Sequence, residues 1–129
     1  MAIVDEAGAL GGAAALAMAG IWSRSLGIHV LAVDKPARAY GALACVGQPT
    51  IQTAVVVLAL AAAMAVGAAV GAGLPMAGVM MGLSISALIS IGVAALARRL
   101  IGGPTGDIAG AVQQLAEIGV YLGLAAALA

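Results

Sequence analysis

The chain has 129 residues, of which 64% are hydrophobic and 8% charged, and its formal net charge is zero. A soluble domain of this length needs far more polar surface, so the composition specifies a polytopic membrane protein. The five basic residues are matched by five acids, which excludes the basic footprint that nucleic-acid binding requires.

The start, MAIVDEAG, carries Asp5 and Glu6 where a cleavable signal would carry positive charge, so no signal peptide is predicted. The first spanning segment is predicted over residues 7–33, the second over 50–71, the third over 75–97 and the fourth over 107–129. Each reaches the roughly 20 residues that a helix needs to cross about 30 Å of hydrocarbon. The expected fold is therefore all-α, a single membrane domain over residues 1–129 with four transmembrane helices. Pro36, Pro49, Pro75 and Pro104 all fall in connectors or at a helix start, where a missing backbone donor does least harm. Cys45 is the only cysteine, so an intrachain disulfide is impossible.

The connectors are residues 34–49, the AGLP turn at 72–75, and residues 98–106. Lys35, Arg38, Arg98 and Arg99 lie in the first and third of these. Two crossings separate those connectors, so they share one side, and the positive-inside rule predicts the cytoplasm. A three-span reading, in which residues 7–33 do not cross, splits the basic connectors between sides and is the weaker alternative.

Glycine occurs 19 times. GAAVG (67–71), GVMMG (78–82), GDIAG (106–110) and GVYLG (119–123) each have the spacing that lets two helices touch along a groove. In a glycine-rich chain the pattern also arises by chance, so the four together predict a tightly packed bundle and no chemistry.

The polar residues inside the spans say more. At 100° per residue Asp107, Gly110, Gln114, Glu117 and Tyr121 share one stripe of the fourth helix. A lone carboxylate at mid-bilayer costs about 2.5 to 3.5 kcal/mol, so that stripe must face protein or water. From the helix rise, Arg24 is roughly 14 Å deep and Glu117 roughly 15 Å deep. Opposite charges at matching depth predict an ion pair, with Glu117→Gln expected to destabilise the bundle strongly. Such a pair is architectural as readily as it is catalytic. His29 has no second ligand at metal-site spacing and reads as an interfacial or hydrogen-bonded histidine rather than a metal ligand. Trp22 and Tyr40 read as interface anchors or as packing.

The GGPTGD turn (102–107) is the most pointed feature. Its glycines let backbone N–H groups converge at a helix start, an arrangement suited to phosphate. Asp107 could supply a hard oxygen ligand to Mg²⁺. A plainer reading has Thr105 or Asp107 capping the helix. No Gly-Lys-Ser/Thr follows, so this is not a Walker A loop.

GGPTGDIAGAVQQLAE, with WSRS (22–25) and PARAYG (36–41) upstream, resembles the adenosylcobinamide-GDP ribazoletransferase (cobalamin 5′-phosphate synthase) family in motif order and separation. By that likeness Ser23, Arg24, Arg38, Gly41, Gly102, Gly103, Thr105, Gly106, Asp107, Gly110 and Glu117 fall on family-typical positions. The resemblance implies a Mg²⁺-dependent, multi-pass enzyme of the bacterial inner membrane. It implies that adenosylcobinamide-GDP is joined to α-ribazole or its 5′-phosphate with release of GMP. Asp107 and Glu117 become the catalytic candidates, with Asp107 also the metal ligand. Arg24, Arg38, Gly102, Gly103, Thr105 and Gly106 become the phosphate and substrate contacts. Family members carry an N-terminal half with further acids, so this chain resembles their C-terminal half, and the expected partners are a separate N-terminal half or a second copy. The alternative classes are a small four-span transporter using a buried carboxylate, or an assembly subunit.

Overall fold

The structure, a computed structural model, describes residues 2–37, Cys45 and 47–129, with backbone alone over residues 2–6. Arg38, Tyr40 and Gly41 lie outside the described residues. Among the described residues four long helices follow one another: α1 (Ala2–Val33), α2 (Ile51–Gly71), α3 (Met76–Ile101) and α4 (Gly106–Leu128). All four are long and apolar enough to cross a membrane, the first as Ala7–Val33, and the protein is an all-helical multi-pass membrane protein.

The helix boundaries follow local chemistry. α1 is kinked near its start, where Gly8 adopts φ 70°, ψ 179°. Thr50 caps α2 by accepting the Thr53 N–H at 3.1 Å, satisfying a donor that the first turn leaves unpaired. Pro75 sits at the N-cap of α3, where its lack of a donor costs nothing within the helix. α3 runs one turn beyond the expected end at residue 97, to Ile101. Arg98 and Arg99 are therefore helical. Their charges suit the negative end of the helix dipole, and the helix ends where Gly102 turns left-handed (φ 86°).

α1 is the spine of the bundle, packed extensively on both α2 and α4, while α4 also packs along α3; α2 and α3, although joined by a short turn, touch little. α2 meets α1 through a stripe of small residues, Ala54, Ala61, Ala65 and Ala69, and exposes Val55, Val56, Leu60 and Met64. Such an apolar outer face fits hydrocarbon, because lipid exerts no force to bury it.

Two of the four glycine pairs carry the α3–α4 contact, and they are each other's partners. A Cβ on Gly82 would lie 2.7 Å from the Val120 carbonyl oxygen, and one on Gly123 would collide with the Gly82 backbone. Gly78 and Gly119 line the same seam, facing Gly123 and Ser86 respectively. A Cβ at Gly67, Gly71, Gly106 or Gly110 would meet nothing within 4 Å. Beside the seam the indole N–H of Trp22 donates to Ser86 Oγ at 2.7 Å, joining α1 to α3. Trp22 is thus a buried packing residue and not an interface anchor.

Candidate functional site

Two polar regions lie along the outer side of α4. The core-facing side of that helix is Ala109, Val112, Ala116, Gly119, Val120, Gly123 and Leu124. The polar stripe predicted from the sequence lies away from it, with Asp107, Gly110 and Gln114 exposed and Glu117 and Tyr121 half-buried.

The deeper region brings α1 against α4. Ser23 Oγ donates to Glu117 Oε1 at 3.2 Å, and Arg24 Nη1 approaches the same oxygen to 3.8 Å. Arg24 Nη1 also donates to the Gly20 carbonyl at 2.9 Å. The expected pairing of Arg24 with Glu117 at one depth is therefore present, but loose. Their side chains are 66% and 35% exposed, so the acid sits in an open groove and is not enclosed in the bundle. Gly27 makes room on the same side, since a Cβ there would lie 2.9 Å from Gln113 Nε2.

The shallower region is the turn between α3 and α4. Thr105 caps α4, its Oγ1 accepting the Ile108 N–H at 3.3 Å, as the plainer reading of the turn expected. The backbone of the first connector is laid across this turn: the Ala37 N–H donates to the Pro104 carbonyl at 3.1 Å. Gly103 is glycine because a Cβ would strike the Lys35 carbonyl. Arg98 Nε and Asp34 Oδ2 pair at 3.2 Å beside it. These contacts put the first and third connectors at the same end of the bundle. Sequence reasoning missed Asp34, and it put Ser23 on a family-typical position without foreseeing its bond to Glu117. The signal for Asp34 was an acid ending one helix on the side where an arginine ends another.

Gly102, Gly103, Thr105, Gly106 and Asp107 are thus together at the turn. Arg24 and Glu117 form a second cluster about 15 Å along the helix axis, and Arg38 lies outside the described residues. Neither packing nor backbone conformation requires glycine at Gly106 or Gly110, which flank Asp107 on an open surface. Chemically, the open end of α4 can admit an anion close to the backbone. The groove beyond can hold a polar group at a depth where lipid cannot solvate one.

Mg²⁺ fits these residues poorly. Asp107 is the sole acid on the turn, and among the described residues no three His, Cys, Asp or Glu side chains are grouped closely enough to hold a cation. His29 likewise has no partner ligands there, and its Nδ1 is buried without a hydrogen bond.

Comparison with known proteins gives the chain its relatives. Residues 1–125 match the family described as Cobalamin-5-phosphate synthase. An adenosylcobinamide-GDP ribazoletransferase of Azorhizobium caulinodans is 40% identical over 115 residues, covering 87% of this chain and 42% of the relative. A protein of the same name from a Sinorhizobium species is 37% identical over 116 residues, covering 90% of this chain and 44% of the relative. The chain therefore spans less than half the length of these curated relatives. No solved structure matches. The family match does not favour the transporter or assembly-subunit alternative.

Proposed function

This chain belongs to the cobalamin-5-phosphate synthase family, and from that premise we propose that it forms part of the catalytic body of an adenosylcobinamide-GDP ribazoletransferase. In that reaction a P–O bond forms between an acceptor ribose hydroxyl and the phosphorus bearing cobinamide. The P–O bond to GMP breaks, and the hydroxyl proton leaves. The transfer needs charge on the diphosphate to be offset and the hydroxyl to be oriented.

The observation that carries the reading is the open polar path along α4: Asp107 between Gly106 and Gly110, then Gln114, then Glu117 with Ser23 and Arg24. Gly106 and Gly110 let a phosphate approach the helix N-terminus. Arg98 and Arg99, one turn before Gly102, contribute positive potential. Asp107 is placed to accept or orient the acceptor proton, and Glu117 with Arg24 forms the polar floor. Gly102, Gly103 and Thr105 hold the turn in shape. Mg²⁺ would need further oxygen ligands beyond Asp107, so no step is assigned to it. The remaining length of the relatives, as a separate segment or a second copy, is the proposed partner. The basic end is proposed to face the cytoplasm from the inner membrane, on the positive-inside rule.

The test replaces the matched segment of the Azorhizobium caulinodans transferase with residues 1–125 of this chain and measures GMP release. Activity that is lost in Asp107→Ala at an unchanged membrane level supports the reading. Full activity in that variant reduces Asp107 to a helix-terminal charge and sinks the assignment.

A further inference from the structure

A groove lies where α1, α2 and α3 diverge, on a face of α1 turned away from Ser23 and Arg24. Its volume is about 220 Å³, and Leu26 and Val30 of α1, Leu58 of α2 and Ala87 and Ile91 of α3 line it. Val33 and Ile91 on its rim are exposed, and α2 and α3 touch little. The groove therefore opens sideways, into the layer that these spanning helices share with lipid. Two polar side chains interrupt the wall, Ser90 and His29. The Ser90 hydroxyl already donates to the Ser86 carbonyl at 2.8 Å. His29 Nδ1 is buried, so an occupant of the groove cannot reach it, and its lack of a partner selects none.

One end of the groove is charged. Asp34 and Arg98 stand there, and Arg98 shares the face of α3 that carries Ala87, Ile91 and Ala94. The ion pair runs from Arg98 Nε to Asp34 at 3.2 Å and leaves the arginine side chain 52% exposed, so the forked end of the guanidinium is open to an anion. Lys35 and Arg99 are exposed beside it, and the three cations outnumber Asp34. α3 has 26 residues and is about 39 Å long against about 30 Å of hydrocarbon, which sets its last turn at headgroup level. From Arg98 to Ala87 the helix rises about 16 Å, close to the depth of one leaflet.

Length, opening and charge together select the occupant. A transmembrane helix is about 10 Å across, too broad for this volume. A free phosphate would meet the cations and leave the apolar groove unfilled. An acyl chain fills an apolar slot one leaflet deep and brings its own phosphate to the level of Arg98. We propose that this groove binds one acyl chain of an anionic phospholipid, its headgroup phosphate held by Arg98 within the positive field of Lys35 and Arg99. Binding there does not depend on the reaction assigned to the polar path along α4.

The full chain, purified in dodecyl maltoside, is titrated with palmitoyl-oleoyl phosphatidylglycerol and with phosphatidylcholine of the same chains, and native mass spectrometry counts the lipids retained. One phosphatidylglycerol is expected to bind roughly tenfold more tightly than phosphatidylcholine, the scale of one charge-assisted contact. Ala87→Leu narrows the groove and Ile91→Trp covers its mouth, and each should weaken phosphatidylglycerol binding roughly tenfold. Thermal unfolding shows that these variants are folded, and Ile91 is exposed, so a substitution there disturbs no core contact. Arg98→Gln should erase the preference for phosphatidylglycerol, whereas Asp34→Asn, which breaks the same ion pair and keeps the cation, should retain it. Gly92→Leu, on the open side of α3 with nothing within 4 Å of its Cβ, should change nothing. Equal affinity for the two lipids, unchanged binding in the folded filling variants, or equal loss in Arg98→Gln and Asp34→Asn overturns the proposal. Competition by glycerol phosphate would reveal a surface anion site that does not use the groove, and overturns it too. Loss of this binding in the chimeric transferase would show that the added protein segment covers the groove in place of lipid, with the same consequence.

Discussion

α4 presents two opposed faces that follow contrary rules. Toward α3 its glycines bring backbone against backbone, with Gly123 set on Gly82 and no room for a methyl group. Toward the groove with α1 its glycines have empty space above them, and the polar side chains around them are open. The same residue type therefore does two jobs on one helix. On the first face, deleting the side chain permits contact, which in lipid is a main source of association. On the second it keeps a surface clear beside an acid.

This contrast can be broken by substitution. The largest expected effect is at the seam: Gly123→Leu should destabilise the bundle by about 3 kcal/mol or more, at or beyond the usual overpacking range because backbone cannot yield, read as loss of folded protein in thermal unfolding. Trp22→Phe keeps an aromatic side chain but removes the indole N–H bonded to Ser86 and some buried ring volume, with an expected cost of about 1 to 2 kcal/mol by the same measurement. Glu117→Gln should cost less than about 1 kcal/mol, because Ser23 can still donate to an amide oxygen and the Arg24 contact is long and exposed. An Arg24→Ala, Glu117→Ala cycle with a coupling well above that would show a tighter pair than the geometry supports. The smallest effect, with opposite sign, is at Gly110→Ala. Helix propensity predicts stabilisation by up to about 1 kcal/mol, while GMP release by the chimera should fall as the added methyl narrows the approach to Asp107. Retained activity there would place the substrate elsewhere.

Much of the fold was legible in the sequence because hydropathy marks spans directly. The end of α3 was not, since Arg98 and Arg99 read equally as loop charge or as a last helical turn, and only Gly102 settles where the turn-over comes. Spacing identified four glycine pairs but could not choose between them, because a G-x-x-x-G pattern describes a groove and not what fills it. Helix rise placed Arg24 and Glu117 at one depth, and the structure brings them within 3.8 Å. It could not show that Ser23 stands closer to the acid, or that the pair is open, because both depend on how α1 is rotated against α4.

The Ala37 amide, bonded to the Pro104 carbonyl, ties the start of the first connector to the turn that leads into α4. Any displacement of that turn must be felt across the bond, so the exchange rate of this one proton serves as a gauge of what happens at Asp107. A bound anion that draws the turn away would release the amide and raise that rate.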